Sequence, residues 1–169
     1  MKIYQLKSSQ ILPISLSTAW KFFSDPKNLS KITPKWLNFE ITSNLPHRMY
    51  AGLIITYKVR PMFNIPQTWV TEITHVNEPN YFVDEQRFGP YKMWHHEHTF
   101  TEIPGVGVEM RDIVTYVLPF GFLGRIVNTL FVRKKVLEIF EYRKEVLLKM
   151  FGPSVNEEGK LEYFTLEKH

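Results

Sequence analysis

The stretches YFVDEQRF (residues 81–88), YKMWHHEHTF (91–100) and VEMRDIVTY (108–116) decide the fold of this chain. Each of them alternates in the manner of a β-strand, in which successive side chains point to opposite faces of a sheet. Turn-forming residues separate them, with Gly89-Pro90 before the second stretch and Pro104-Gly105 before the third. The three stretches therefore predict neighbouring antiparallel strands.

One face of these predicted strands carries ionisable side chains among large apolar ones. Alternation assigns to that face Phe82, Asp84, Gln86, Trp94, His96, His98, Phe100, Met110, Asp112, Val114 and Tyr116. Counting across the two turns places Asp84 opposite His96, and His98 opposite Asp112. Because buried ionisable groups are costly unless they are paired or hydrogen-bonded, this face predicts mutual carboxylate–imidazole pairs, a partly hydrated cavity, or both.

The remaining chain supplies further strands and one long helix. Alternating or mixed patterns predict four more strands, near residues 2–11, 37–43, 52–60 and 67–76. Two short helices are predicted near residues 18–23 and 26–32, with Ser17 as the cap of the first and Asp25-Pro26 at the start of the second. Apolar residues at helical spacing predict a long amphipathic helix over about 122–151. An α+β fold follows, in which a strongly bent seven-stranded antiparallel sheet wraps around the C-terminal helix.

Length and composition favour one domain, predicted over residues 1–151, followed by a polar tail over 152–169. Of the 169 residues, 44% are hydrophobic and 15% are aromatic, and aromatic side chains are frequent in ligand cavities. The net charge of +4 comes without a dense basic run in which aromatic residues alternate with cations, so nucleic acid is not an expected partner. Gly-x-Gly-x-x-Gly is also absent from the sequence, which excludes that dinucleotide-binding motif.

The absence of cysteine excludes disulfides, thiolate metal sites and a cysteine nucleophile. A reducing compartment is consistent with this composition, and we expect a cytoplasmic protein. The first twenty residues contain no unbroken apolar run of signal-peptide type. The most apolar stretch, residues 116–132, is interrupted by Pro119, Arg125 and Asn128, so no integral membrane association is expected.

The order of elements and several strings resemble the START-like, or SRPBCC, helix-grip superfamily, to which the birch pollen allergen belongs. Within it, the chain is similar to the polyketide cyclase/dehydrase-like group, over about residues 3–151. The strings that carry the resemblance are Asp25-Pro26 with Asn28-Leu29, Ile32-Thr33-Pro34, Phe82-x-Asp84-x-Gln86-x-x-Gly89-Pro90, His96-Glu97-His98-x-Phe100 and Pro119-Phe120-Gly121. The resemblance implies a cavity for a small hydrophobic or amphipathic molecule between sheet and helix, and it implies no single reaction.

We therefore expect the chain to bind a lipid-like or polyketide-like molecule in an internal cavity, without a cofactor. Strand parity adds Tyr57 and Trp69 to the predicted cavity wall, and Phe120 and Leu123 lie where a mouth between the last strand and the long helix is expected, together with Phe122 and Ile126. The predicted ligand-binding residues are Tyr57, Trp69, Phe82, Asp84, Gln86, Trp94, His96, His98, Phe100, Asp112, Tyr116, Phe120 and Leu123.

The polar face has three interpretations. The favoured one is a structural or ligand-contacting network, in which each carboxylate orients one imidazole ring. In the second, the chain is a cyclase or dehydratase, with His96 or His98 as the acid–base group and Asp84 or Asp112 as its orienting partner. In the third, two imidazoles and a carboxylate bind a divalent metal, although we expect that no metal is bound.

A non-catalytic interaction module with a vestigial cavity is a further alternative. Its partner would dock on the sheet edge or on the long helix, and the sequence leaves the oligomeric state open. The helix carries Arg125, Arg133, Lys134 and Lys135. We interpret these cations mainly as a solvated face, with anionic head groups or a partner as the alternative.

Overall fold

The computed structural model describes residues 2–61, 65–154 and 160–166 of the chain. Its strands, in chain order, are β1 (Ile3–Leu12), β2 (Glu40–Ile41), β3 (Leu53–Val59), β4 (Gln67–Asn77), β5 (Tyr81–Phe88), β6 (Met93–Ile103), β7 (Gly107–Val117) and β8 (Lys160–Leu166). They form one antiparallel sheet in the order β2-β3-β4-β5-β6-β7-β1-β8. The predicted meander is confirmed, and β1 closes it by pairing with β7.

The predicted count of seven strands is wrong by one. The additional strand, β8, pairs with β1 in the register Leu6 to Tyr163, and it lies in the segment that the sequence suggested as a polar tail. An isolated edge strand whose inner face carries one aromatic residue has a weak sequence pattern, which is why the polar composition was misleading. Residues 155–159 and 167–169 of that predicted tail lie outside the described residues.

Short helices follow β1 at both predicted positions. Helix α1 (Leu16–Phe23) is capped by Ser15, whose hydroxyl accepts a hydrogen bond from the Thr18 amide, and the predicted cap at Ser17 is therefore wrong by two residues. A 3-10 helix over Pro26–Ile32 has Asp25 as its cap, as the sequence predicted. A second 3-10 helix, Lys35–Leu37, leads into β2.

The C-terminal helix is continuous over residues 121–151 and confirms the predicted long helix. It consists of α2 (Gly121–Val127), a π-helical segment (Asn128–Val132) and α3 (Arg133–Phe151). The π-helical segment is held by Asn128, whose side chain accepts a hydrogen bond from Tyr116 and donates one to Tyr163 of β8. π-helical segments are rare and mostly appear, as here, as a single turn within an α-helix.

The core lies between the concave face of the sheet and the C-terminal helix. One apolar cluster joins β1 and β7 to the helix through Leu6, Val114, Val136 and Phe140. A second and larger cluster gathers α1, the middle strands and Leu147. Register shifts between β4 and β5, near Thr71 and Ile73, add to the bend of the sheet. The structure thus has the predicted α+β helix-grip architecture.

Candidate functional site

Four ionisable side chains meet on the concave face of the sheet, where β5, β6 and β7 lie side by side. The ladder places Asp84 opposite His96 and His98 opposite Asp112, so both predicted pairings are confirmed. All four side chains are buried or nearly so. The alternation of the strands is what brings them together, since every second residue of each strand points to this face.

The side-chain contacts are more extensive than two separate facing pairs. His98 Nε2 lies 2.8 Å from Asp84 Oδ2, and His96 Nε2 lies 3.0 Å from Asp112 Oδ1, so the hydrogen bonds run diagonally across the ladder. The directly facing residues are also in contact. His98 Nδ1 lies 2.8 Å from Asp112 Oδ1, but the geometry of this contact does not allow a hydrogen bond. His96 Nδ1 lies 3.5 Å from Asp84 Oδ2. The rings themselves lie 3.7 Å apart between centroids.

A fifth charge comes from the C-terminal helix. Arg143 Nη1 lies 3.4 Å from Asp112 Oδ2, and the guanidinium also lies over the Phe140 ring at 4.8 Å. Arg143 is buried, and its Nε has no hydrogen-bond partner among the described residues. The carboxylate of Asp112 thus contacts two imidazoles and one guanidinium. The contact with Arg143 links the C-terminal helix to strand β7.

The hydrogen-bonding chemistry of these groups indicates which of them are protonated. Ionised carboxylates only accept hydrogen bonds, and both nitrogens of His98 lie 2.8 Å from a carboxylate oxygen. Burial would lower the pKa of His98, but the contacts with Asp112 and Asp84 outweigh it and the pKa is raised. We infer that His98 is an imidazolium, so that its charge and that of Arg143 balance the two carboxylates.

His96 has the opposite environment. Burial and the neighbouring charge of His98 lower its pKa to about 4, despite the contacts with Asp112 and Asp84. Burial alone would raise the pKa of Asp112, but Arg143 and the contacts with the two imidazoles hold it well below its usual value. The pKa of Asp84 is lowered in the same way, chiefly by His98. Two adjacent histidines therefore differ in protonation, because only one proton is needed to make the cluster neutral.

A pocket of about 170 Å³ opens beside this cluster, between the sheet, the C-terminal helix and the first 3-10 helix. Its polar lining consists of four members of the charged cluster, Asp84, His96, His98 and Arg143, together with Asp25, Asn28, Thr33 and Thr71. The remaining wall is largely apolar and aromatic, and includes Phe22, Phe23, Leu29, Tyr57, Trp69, Phe82, Tyr91, Trp94, Ile139 and Phe140. The site thus combines a neutral but highly polar patch with a large apolar surface.

A family profile described as polyketide cyclase/dehydrase and lipid transport matches residues 12–141, which is most of the chain and includes the whole cluster of Asp84, His96, His98 and Asp112. The chain belongs to this family. The resemblance drawn from the sequence strings is therefore confirmed. Curated proteins yielded no match to the chain.

Solved structures agree on the fold. A protein from Chromobacterium violaceum has a TM-score of 0.66 at 11% identity, with 88% of this chain and 98% of that chain covered. A START superfamily protein from Mycobacterium smegmatis has a TM-score of 0.63 at 11% identity, covering 88% and 97%. Ara h 8.0201 has a TM-score of 0.55 at 13% identity, covering 87% and 99%. At these identities the likeness establishes the helix-grip fold of the family and nothing finer.

Seven of the predicted ligand-binding residues line the pocket of this family member. They are Tyr57, Trp69, Phe82, Asp84, Trp94, His96 and His98. All of them lie on strands that the sequence pattern predicted. The alternation of side chains along these strands was sufficient to predict that they face the pocket. Whether they contact a ligand stays a prediction.

The other six predicted residues lie outside the pocket wall, and their expected positions there are wrong. Gln86 instead fixes the turn after β5, since its side chain donates to the Tyr91 carbonyl and accepts from the Tyr91 amide. Phe100 is buried against Phe23 and Trp20 in the core. Both residues lie on the predicted face, but neighbouring side chains separate them from the pocket.

The remaining four fall into two groups. Asp112 and Tyr116 are fully buried; Asp112 lies behind the two imidazoles, and the Tyr116 hydroxyl donates to Asn128. Phe120 and Leu123 are exposed and do not form a mouth of the pocket. The predicted mouth is wrong in position, because both side chains face solvent and neither belongs to the residues that line this pocket.

Arg143 and Tyr91 are pocket residues that the sequence reasoning missed. Arg143 had a usable signal, because it continues the buried helical face of Val136, Phe140 and Leu147 at i+3 and i+4 spacings. An arginine on an apolar helical face predicts a buried acidic partner, here Asp112. Tyr91 lies in a turn, and only the packing of that turn against Trp69 and Trp94 brings it into the wall.

Asp84, His96 and His98 offer ligand atoms that all lie within 4.8 Å of one another. Two imidazoles and a carboxylate are a ligand set that divalent transition metals accept. A metal bound there would have to displace the proton that His98 donates to Asp84. Among the described residues, no helix is both long and apolar enough to cross a lipid bilayer.

Proposed function

We propose that this chain binds a small hydrophobic or amphipathic molecule, of lipid or polyketide type, in the pocket between the sheet and the C-terminal helix. The observation that carries the proposal is a pocket whose largely apolar and aromatic wall surrounds the buried polar groups of Asp84, His96, His98 and Arg143. Ligand pockets are commonly built in this way, with apolar surface for affinity and a few polar groups for orientation.

The physical roles of the two parts differ. Each Å² of apolar ligand surface buried against the wall contributes about 25 cal/mol, so the aromatic side chains account for most of the affinity. A hydroxyl or carbonyl of the ligand would be oriented by the His–Asp cluster, since a polar ligand group left unpaired in such a site costs free energy. A volume of about 170 Å³ favours a compact group rather than a long extended chain.

Filling the pocket should abolish binding. We expect Ile139→Trp, which places a larger side chain at the pocket wall, to weaken binding of the fluorescent probe anilinonaphthalene sulfonate by about tenfold or more, because a well-packed apolar site has no room for both. Fluorescence titration measures the dissociation constant. Leu148→Trp is the matched control, because Leu148 is exposed on the same helix outside the pocket.

The result supports the proposal only if Ile139→Trp remains folded, which denaturant unfolding establishes. Equal probe affinity in the wild type and in a folded Ile139→Trp variant would contradict it. Native mass spectrometry of the wild-type protein, as first purified, adds an independent test. A co-purifying small molecule should be present in the wild type and depleted in Ile139→Trp.

A cyclase or dehydratase activity is the second candidate, and the differing protonation of His96 and His98 favours it. Paired groups whose pKa values are pushed apart by their surroundings are typical of acid–base sites. A charged His98 beside the pocket can donate a proton to a ligand carbonyl or leaving hydroxyl, and Asp84 orients its ring. Loss of water after an aldol ring closure needs an acid of this kind.

We expect His98→Asn to abolish dehydration of a linear poly-β-ketone while probe binding persists. The measurement is mass spectrometry of the product, in which ring closure followed by loss of water is distinguished from the unreacted chain. His95→Asn is the control, because His95 lies on the opposite face of β6 and pairs with Glu85. If the wild type leaves the poly-β-ketone unchanged, or His98→Asn retains turnover, the enzymatic candidate is wrong and the binding proposal is unaffected.

A further inference from the structure

The start of the C-terminal helix exposes an unusual amount of apolar surface. Phe120, Phe122 and Leu123 are 82%, 65% and 65% exposed, respectively. The apolar residues that follow along the helix are between 36% and 60% exposed, namely Ile126, Val127, Leu130 and Phe131. We call residues 120–131 the exposed apolar segment. A contiguous patch of this kind marks an interaction surface more often than an isolated exposed apolar residue does.

The backbone at the beginning of this segment projects an aromatic ring outward. Phe120 has a φ of +64°, in the left-handed region that bulky residues rarely adopt. Its side chain is the most exposed of the large apolar side chains in the described part of the chain. A strained backbone that exposes a phenylalanine to water is expected where the ring has another environment to enter.

The charged residues within the exposed apolar segment and next to it in the sequence are all basic. From Ile113 to Leu137 the sequence contains Arg125, Arg133, Lys134 and Lys135 and no acidic residue. Arg125, Arg133 and Lys134 are exposed, whereas Lys135 pairs with Glu138. A surface depression beside Phe120 and Phe122 adds Lys2 and Lys92 to Arg125, and none of the described residues that line it is acidic. The segment thus lies within a positive field.

We propose that the exposed apolar segment docks on the surface of an anionic lipid bilayer. Aromatic and aliphatic side chains flanked by cations are the composition of helices that lie in a membrane interface, with the apolar side chains at the acyl boundary and the cations among the head groups. Each basic residue near such a surface adds to the attraction. The depression with Lys2, Lys92 and Arg125 is suited to a lipid phosphate.

Charge also argues against a second copy of this chain as the occupant. A twofold dimer would place the same surface against itself, and the Arg125, Arg133 and Lys134 side chains of the two copies would then face one another without acidic partners. An anionic bilayer satisfies these cations, whereas self-association leaves them opposed. The inference goes beyond ligand binding, because it requires nothing to occupy the pocket.

Vesicle co-sedimentation tests the proposal with two compositions, phosphatidylcholine alone and phosphatidylcholine mixed with phosphatidylserine. We expect the wild-type chain to bind the mixed vesicles at least about tenfold more tightly, and to be released as salt screens the charges. Phe120→Ser/Phe122→Ser and, separately, Arg125→Glu/Lys134→Glu should each weaken binding by about tenfold or more. The charge variant keeps the test decisive if the first variant does not fold.

Leu148→Ser/Met150→Ser is the matched control. It removes two side chains that are 45% and 44% exposed at the other end of the same helix, and vesicle binding should be unchanged. The proposal is overturned if the wild type binds neither vesicle or binds both equally, or if both folded segment variants bind like the wild type. It is also overturned if ultracentrifugation finds a dimer that Phe120→Ser/Phe122→Ser dissociates, since the surface is then a contact between copies.

Discussion

Asp112→Asn is expected to destabilise the protein by about 3–5 kcal/mol, because the substitution leaves buried cations without their counter-charge. The Asp112 carboxylate is contacted by His96, His98 and Arg143, and it is almost completely buried. An asparagine keeps the shape but not the charge, so Asp84 would be the one remaining carboxylate beside two buried cations, and one positive charge would stay unbalanced in the interior. Domains of this size have total stabilities of about 5–15 kcal/mol, so a loss of this magnitude is a large fraction of the whole.

Urea unfolding followed by tryptophan fluorescence measures this loss. Glu109→Gln is the control, because Glu109 lies on the same strand, faces away from the cluster and contacts the exposed Arg111. The double variant Asp112→Asn/Arg143→Met should lose less free energy of unfolding than the two single variants together, because removing both charges leaves no unpaired charge. A loss below about 1 kcal/mol for Asp112→Asn, or strict additivity in the double variant, would contradict the proposed charge balance.

Stability is expected to be greatest near neutral pH and to fall on both sides. The pKa of His96 is lowered to about 4 in the folded protein, from an ordinary value of 6.5. Between these two values the unfolded chain binds a proton that the folded protein excludes, so the free energy of unfolding decreases as the pH falls. The full effect of this one group is about 3 kcal/mol at 1.4 kcal/mol per pH unit.

The other members of the cluster extend the profile. Asp84 and Asp112 have lowered pKa values, so the stability they contribute is present above their ordinary value of 3.8 and is lost as the pH falls further. His98 has a raised pKa, so its contribution is complete below 6.5 and is lost as the pH rises through its folded value. The total loss of stability is therefore larger on the acid side, where His96 acts between about 6.5 and 4 and the two carboxylates act below 3.8.

Urea unfolding between pH 4 and pH 9, about one point per pH unit, measures this profile. His96→Gln should flatten the part between about 4 and 6.5, because it removes the group responsible for it. His95→Gln, on the opposite face of β6, should leave the slope in place. A wild-type free energy of unfolding that stays constant between pH 6.5 and pH 4 would show that His96 is not held neutral by its surroundings.

Much of the site could be predicted from the sequence pattern of the strands. The alternation of Asp84, His96, His98 and Asp112 predicted one shared face, and the two turns predicted which residues face one another across the ladder. Strand register follows from local counting, since a shift of one residue would turn every side chain to the other face. The same argument placed Tyr57 and Trp69 on the pocket wall.

Other features had no such local origin. The ladder predicted contacts between facing residues, but the hydrogen bonds join His96 to Asp112 and His98 to Asp84, which lie diagonally across it. The rotation of each side chain and the position of Arg143 beside Asp112 decide which nitrogen contacts which oxygen, and strand register sets neither. Strand β8 was missed because its pairing with β1 joins segments that lie far apart in the chain. Phe120 and Leu123 appeared well placed for a pocket mouth, yet the direction in which the helix leaves the sheet turns them to solvent.

The amino-acid sequence by itself determined seven of the eight described strands, the register among β5, β6 and β7, the long helix and the inward-facing His–Asp set, because these depend on periodicity and on turns between neighbouring segments. Only the tertiary structure decided that Arg143 pairs with Asp112, that the pKa values of two neighbouring histidines shift in opposite directions, and that an apolar, cationic helix start is exposed. These properties depend on how distant segments pack, and burial and charge at each position are set by that packing rather than by the local pattern.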